Sequence, residues 1–429
     1  MEDKVGLDLF FTETAGIGGK LKKYPEDFKV EERLDIFDET EGEYSIAKIW
    51  SRNWETNRLV QKLSEELNIS RKNIDFSGTK DKRAITVQWM SFKTDPKNLE
   101  DLSIKDLDIK EVFTSHRSLN IGTHTGNDFE IMIRDMEMDE EEALNRADGT
   151  GGKIKEEKGF PNWFGVQRFG TMRPITHIVG KKIIKGDFKG AVKTYVAEPK
   201  EGENKECYEA RKFLEETWNM EDALERYPKA LTFERGIIKH LIDNPEDYVS
   251  ALKTLPHNLL MMFVHAYQSY LFNKMVSLRL KKDLPLNDAL IGDIVLPVDK
   301  KGLPNKNTKV VVHERNIGKA STMTKEGKAF VSAPLYGHNS DFSEGQQGEI
   351  ERKIIEEEGV KKDDFIIPEI PSISSTGTRR SIFAPVKGLS WELEGEALKI
   401  EFGLNKGCYA TTLLREFMKH PSEKAHLYS

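Results

Sequence analysis

The chain has 429 residues, with 65 Lys and Arg against 72 Asp and Glu, for a net charge of −7. Charged residues make up 32%, above the ~25% of an average soluble domain, yet 38% hydrophobic and 9% aromatic residues exclude disorder for the bulk of the chain. The only cysteines, Cys207 and Cys408, exclude a disulfide framework and a cysteine zinc site, and the length suggests roughly two to three domains.

The first segment mixes strands and helices. Asp27 to Arg33 and Glu43 to Trp50 alternate as strands do, and Glu55 to Leu67 places Leu59, Val60, Leu63 and Leu67 at helical spacing. Thr86 to Phe92 is β-rich, and Asn127 to Arg134 alternates through Phe129, Ile131 and Ile133. An acidic helix is expected from Asp139 to Ala147, ended by a break at Asp148-Gly-Thr-Gly-Gly. Arg173 to Gln268 is helical in pattern. Short apolar runs return from Asp288 to Leu335, a polar helix from Phe342 to Gly359, strands from Trp391 to Phe402 and a helix from Cys408 to Lys419. A mixed head, a helical middle and a mixed tail suggest one domain inserted into another.

The longest apolar stretch, Leu259 to Phe272, contains His265, Gln268 and Ser269 and is too short to span a bilayer. No apolar signal core follows the opening Met-Glu-Asp-Lys. The expectation is a soluble cytoplasmic protein that avoids membranes and is monomeric by default. Net acidity argues against nucleic-acid binding over the whole surface and leaves room for a local basic cleft.

Several familiar chemistries fail on spacing. Asp148 to Lys153 has Ala147 and Ile154 where a phosphate loop needs Gly and Ser or Thr, and Gly16-Ile-Gly-Gly-Lys20 fails likewise. The 10 histidines form no metal-binding pair, His265 reads as a core histidine, and no serine-hydrolase elbow occurs. No metal, nucleotide or other cofactor is expected.

The informative segment is Phe76 to Gln88, where Asp81 is the lone carboxylate among Lys80, Lys82 and Arg83. Nearby cations favour an ionised Asp, which is what a nucleophile or general base requires. The plain alternative is a solvated, charged turn. A second segment, Gly159 to Gly170, interleaves aromatics with Asn162, Gln167 and Arg168, as unpaired bases would require for stacking and edge contacts. Its alternative is a buried aromatic cluster at a domain junction. Gly126-Asn-Asp-Phe129, Lys22 to Phe28, and Gly407 to Glu416 with Arg415 read unaided as turns into strands and a helix start.

Together these segments resemble the TruD family of tRNA pseudouridine synthases. The resemblance rests on Pro25-Glu-Asp-Phe28, Gly78-Thr-Lys-Asp-Lys-Arg-Ala84 with Thr86 and Gln88, and Gly126-Asn-Asp-Phe129. It continues through Asn162-Trp-Phe-Gly-Val-Gln-Arg-Phe-Gly170, Gln268-Ser-Tyr-Leu-Phe-Asn273 and Ala410-Thr-Thr-Leu-Leu-Arg-Glu416, in order along nearly the whole chain. The insert leans towards the archaeal branch.

The resemblance implies an α+β fold: a curved mixed sheet with flanking helices forming the catalytic core, and a largely helical insertion domain that gives a V-shaped molecule. The core would occupy 1–172 and 374–429, and the insert 173–373. The implied reaction converts uridine to pseudouridine in tRNA, at position 13 of the D arm. Asp81 takes the catalytic position, supported by Lys22, Asn127, Phe129 and Arg415. Lys22 is favoured over Arg415 as the cation beside Asp81. RNA contacts are expected from Lys80, Lys82, Arg83, Asn162, Phe164, Gln167, Arg168 and Phe169. A basic track would run from Lys20, Lys22 and Lys23 through Arg71, Lys72 and Arg173 to Lys181, Lys182, Lys185, Arg379 and Arg380. A catalytically silent RNA-binding protein on the same fold, and a hydrolase pairing Asp81 with Asp75, are the alternatives of other classes.

Overall fold

The computed structural model describes residues 2–34 and 41–421. In chain order the strands are β1 (Gly18–Lys20), β2 (Phe28–Arg33), β3 (Tyr44–Arg52), β4 (Ile74–Phe76), β5 (Ile85–Phe92), β6 (Leu107–Ser115), β7 (Gly126–Met136) and β8 (Gly159–Pro161). They continue as β9 (Ile294–Pro297), β10 (Val310–Val311), β11 (Ala329–Leu335), β12 (Thr378–Ser381), β13 (Phe383–Glu394) and β14 (Ala397–Asn405).

The main sheet runs β6-β3-β5-β2-β7-β14-β13-β8, with β1 added to β7 and β4 to β5. It is mixed: β2 and β5 are parallel and the other pairs antiparallel. Two-residue periodicity explains its faces. Ile131 and Ile133 of β7 lie opposite Ile400 and Leu398 of β14, and all four are buried. Their neighbours Glu130 and Lys399 line the other face. Gly395, at φ 58°, opens the two-residue turn between β13 and β14, a position that favours glycine.

The middle of the chain packs helices around the 25-residue helix His257–Lys281. No helix among the described residues is long and apolar enough to cross a membrane. The expectation of a largely helical insert needs an addition, because a second antiparallel sheet, β10-β9-β11-β12, lies here. Its last strand, β12, falls beyond residue 373, so the second sheet reaches into the stretch expected to belong to the core.

One expected break is absent. The acidic helix does not stop at Ala147 but runs from Glu140 to Glu157, through Gly149, Gly151 and Gly152. Asp139 caps it by accepting from the Glu142 amide at 2.8 Å. Glycine normally weakens a helix, but packing demands it here: a Cβ on Gly151 would sit 2.3 Å from the Trp391 ring. The indole of Trp391 in turn donates to Asp148 at 2.7 Å. Tertiary contact has overridden local propensity.

Candidate active site

The sheet register gathers the site. Phe28, Val30 and Glu32 of β2 share one face with Asn127 and Phe129 of β7, since Val30 lies opposite Phe129 and Glu32 opposite Asn127. Phe402 of β14 lies on the other side of Phe129. The Phe129 ring stacks on Phe402 with centroids 5.1 Å apart and meets Phe28 edge-on at 6.3 Å. Phe28 and Phe402 are buried and Phe129 is partly exposed, so Phe129 is the ring that this aromatic floor presents.

The loop between β4 and β5 carries Asp81 over this face. Lys80 anchors it: its amide donates to Thr56 Oγ1 at 2.8 Å, and its ammonium pairs with Glu32. That ion pair is 8% and 0% exposed, and the second Glu32 oxygen accepts from the Trp89 amide at 3.0 Å. Ser77 closes the other end of the loop, its carbonyl accepting from the Gly122 amide at 2.7 Å. Asp81 itself stays 65% exposed.

Lys22 reaches Asp81 from below. Its ammonium donates to Asp81 Oδ2 at 2.6 Å and lies 4.5 Å from the Phe28 ring centroid, a cation–π distance. Lys22 holds φ at 53°, a left-handed backbone that side chains adopt at a cost of about 1–3 kcal/mol. The following turn is locked by Asp27, which is fully buried and accepts from the Tyr24 amide and from Arg134. The buried Oδ1 of Asn127 has no hydrogen-bond partner in the protein, and neither has Ser77 Oγ. Buried polar atoms without a partner are uncommon in proteins. Among the described residues no group of His, Cys, Asp and Glu could hold a metal.

Other expected site residues lie elsewhere. Arg415 is not a partner of Asp81: it is buried, pairs with Glu2, and donates to the carbonyls of Leu7 and Leu9, fastening the start of the chain to the last helix. Lys80, expected to touch RNA, turns inward to Glu32 instead. Lys82 and Arg83 remain exposed, with the Arg83 guanidinium donating to the Lys23 carbonyl.

The aromatic block is the buried cluster of the plain alternative. Phe169 is fully buried against His177, and Phe164 is wedged between Phe272 and Tyr409. Asn162 is buried and holds the Ser381 carbonyl at 2.9 Å. Gln167 and Arg168 are half-buried, bonded to Thr411 and Ser269. The Gln268–Asn273 motif belongs to the same assembly: the Asn273 carboxamide bonds Val5 and both backbone groups of Phe164.

Much of the expected basic track is also occupied. Lys20 and Lys23 pair with Asp135, Lys181 with Glu358, Lys185 with Asp364, and Arg173 with Glu203. Arg379 is buried against Glu351. Glu32 and Phe402 escaped the sequence reading. Only the alternation of β2 and β14 hints at them, and alternation cannot tell a buried Glu from an exposed one.

The site is an exposed, lysine-held carboxylate above an aromatic floor on a mixed sheet. The family model for tRNA pseudouridine synthase D (TruD) matches residues 4–417. A protein of Methanococcoides burtonii named "Probable tRNA pseudouridine synthase D" is 43% identical over 426 residues, covering 98% of this chain and 97% of the relative. The same name is borne by a Thermococcus sibiricus protein, 38% identical over 416 residues and covering 96% and 97%. The crystal structure of the TruD protein from Methanosarcina mazei superposes with a TM-score of 0.87 at 41% identity, covering 97% of both chains. The chain belongs to the TruD family.

Proposed function

We propose that this protein isomerises uridine to pseudouridine in tRNA, at position 13 of the D arm, with Asp81 as the acting carboxylate. The observation that carries the reading is the Lys22–Asp81 pair: an accessible carboxylate, fixed in direction by a largely buried lysine, over Phe28, Phe129 and Phe402.

The target uridine must leave its stack to be reached. Phe129, the partly exposed ring of the aromatic floor, supplies apolar contact for the extruded base, and Asn127 holds the loop or a base edge beside it. Asp81 then either attacks C1′ of the ribose or removes the proton at C2′. Both routes break the N1–C1′ bond. The freed uracil turns and C5 bonds to C1′, which breaks the Asp81–C1′ ester on the first route and is accompanied by return of the proton from Asp81 to C2′ on the second. The hydrogen at C5 then passes to solvent and N1 takes up a proton. No electrons are exchanged with an outside partner.

The test is tritium release from C5 of uridine in an unmodified tRNA transcript, followed by mapping of the modified position. Release by wild type and none by Asp81→Ala, with tRNA still bound, is the expected result. Release by both variants would remove Asp81 from the mechanism. Binding with no release by wild type would favour an RNA-binding protein on this fold.

A further inference from the structure

A cleft of about 450 Å³ opens beside the catalytic loop. Ser77, Gly78 and Thr79 form one wall, the end of β14 and the residues after it another, and the loop between β9 and β10 the third. Three cations converge there: Arg380 at the end of β12, Lys406 just after β14, and Lys306 on the β9–β10 loop. No Asp or Glu lines this cleft, in a chain where carboxylates outnumber Lys and Arg.

The hydrogen bonds of Arg380 and Lys406 reach only neutral acceptors, and the Arg380 guanidinium also lies 4.2 Å from the Phe164 ring centroid. Arg380 donates to the carboxamide oxygen of Asn162 at 2.6 Å and the carbonyl of Gly407 at 2.7 Å, both neutral acceptors. Lys406 donates to the Gly122 carbonyl at 2.6 Å. Lys306 is exposed at the mouth, and no carboxylate pairs with it among the described residues. The neighbouring Arg379 makes the contrast, since it has Glu351. The Lys406 ammonium is held below its ordinary pKa by burial and then by Lys301, with Asp299 opposing. Like charges held together without a counter-charge are unfavourable until an anion arrives.

We propose that this cleft binds a backbone phosphate of the RNA substrate, gripped jointly by Lys406 of the main-sheet side and by Arg380 and Lys306 of the second-sheet side. The inference rests on the reading of the protein as an RNA-modifying enzyme and deepens it. The cleft begins at Gly78 and Thr79, next to Asp81, so the phosphate it takes lies close to the extruded nucleotide. The ligand chemistry is a phosphate oxyanion. Argued from a wall shared with the catalytic loop, its source is the RNA backbone rather than free phosphate.

The experiment measures tRNA affinity as a function of salt, from about 50 to about 300 mM, for wild type, Lys306→Gln, Lys406→Gln and the double variant. Each lost phosphate contact should flatten the slope of log affinity against log salt by about 0.7 to 0.9. The double variant should also raise KM with little change in kcat. Lys406→Arg should keep the wild-type slope, which separates lost charge from a lost Gly122 contact. Circular dichroism and thermal unfolding check that the variants fold. A double variant with unchanged slope and KM overturns the proposal. Loss of thermal stabilisation by inorganic phosphate, with the tRNA slope unchanged, would assign the site to small anions and also overturn it. The slope is read without catalysis, so failure of the isomerase reading is seen separately, as absent tritium release.

Discussion

Glu32 and Lys80 form an ion pair that is buried on both sides, one residue away from the exposed Asp81. The pair anchors the Asp81 loop to the sheet, because Lys80 also bonds Thr56 through its amide and Glu32 is tied to Trp89. Removing one partner strands the other charge in the interior. Lys80→Met should cost about 3–5 kcal/mol of stability and lower turnover by releasing the loop. Denaturant unfolding and tritium release check the two effects. Wild-type stability in Lys80→Met would refute the anchoring role.

The Lys22–Asp81 pair should behave in the opposite way. With Asp81 mostly solvated, the pair contributes at most about 1 kcal/mol to folding. Asp81→Ala should therefore unfold within a few degrees of wild type while losing pseudouridine formation altogether. Lys22→Met should fold normally and lower kcat more than it raises KM. Thermal scans beside steady-state kinetics separate these outcomes.

Phe169 should matter for the core and not for RNA. It is fully buried, so Phe169→Ala should cost about 3–5 kcal/mol. Lys82→Gln, at an exposed position on the Asp81 loop, should leave stability alone and weaken tRNA binding most at low salt. Calorimetry and binding titrations on both variants test the contrast. A stable Phe169→Ala with weakened RNA binding would return the aromatic block to the interface.

His177, packed between Phe169 and Tyr270, gives a pH dependence. Burial lowers its pKa to about 4, against about 6.5 in an unfolded chain. The folded state resists its protonation, so its stabilising contribution is complete above about pH 6.5 and is lost as pH falls towards 4. Denaturation midpoints at pH 7 and pH 4.5 should differ less in His177→Gln than in wild type.

The strands that build the site were legible because they alternate: β2, β5 and β7 are visible in the residues themselves, as is the turn that carries Asp81. Lys22 was found beside Asp81 through the family resemblance, and geometry places them 2.6 Å apart. What escaped was whatever depends on a partner far along the chain. Arg415 reads as a free cation until Glu2 meets it, and Lys80 until Glu32 does. The Gly149–Gly152 stretch reads as a break until Trp391 fills the groove. Conversely, Lys306 and Lys406 look like ordinary surface lysines, and only the fold shows them facing a cleft without carboxylates.

The fastening of the chain's two ends has a consequence for how the molecule is made. Glu416 accepts from the amides of Phe11 and Thr12, and Arg415 holds Glu2, across separations of 404 to 413 residues. A ribosome delivers the helix Ala410–Met418 after every strand of the main sheet. Until it emerges, Glu2, Phe11 and Thr12 lack these partners, while the helix His257–Lys281, which binds Val5, Gly6 and Asp8, is already made. Closure of the core is thus a late event in synthesis. A protein shortened by its final helix would lose the mooring of its own amino terminus.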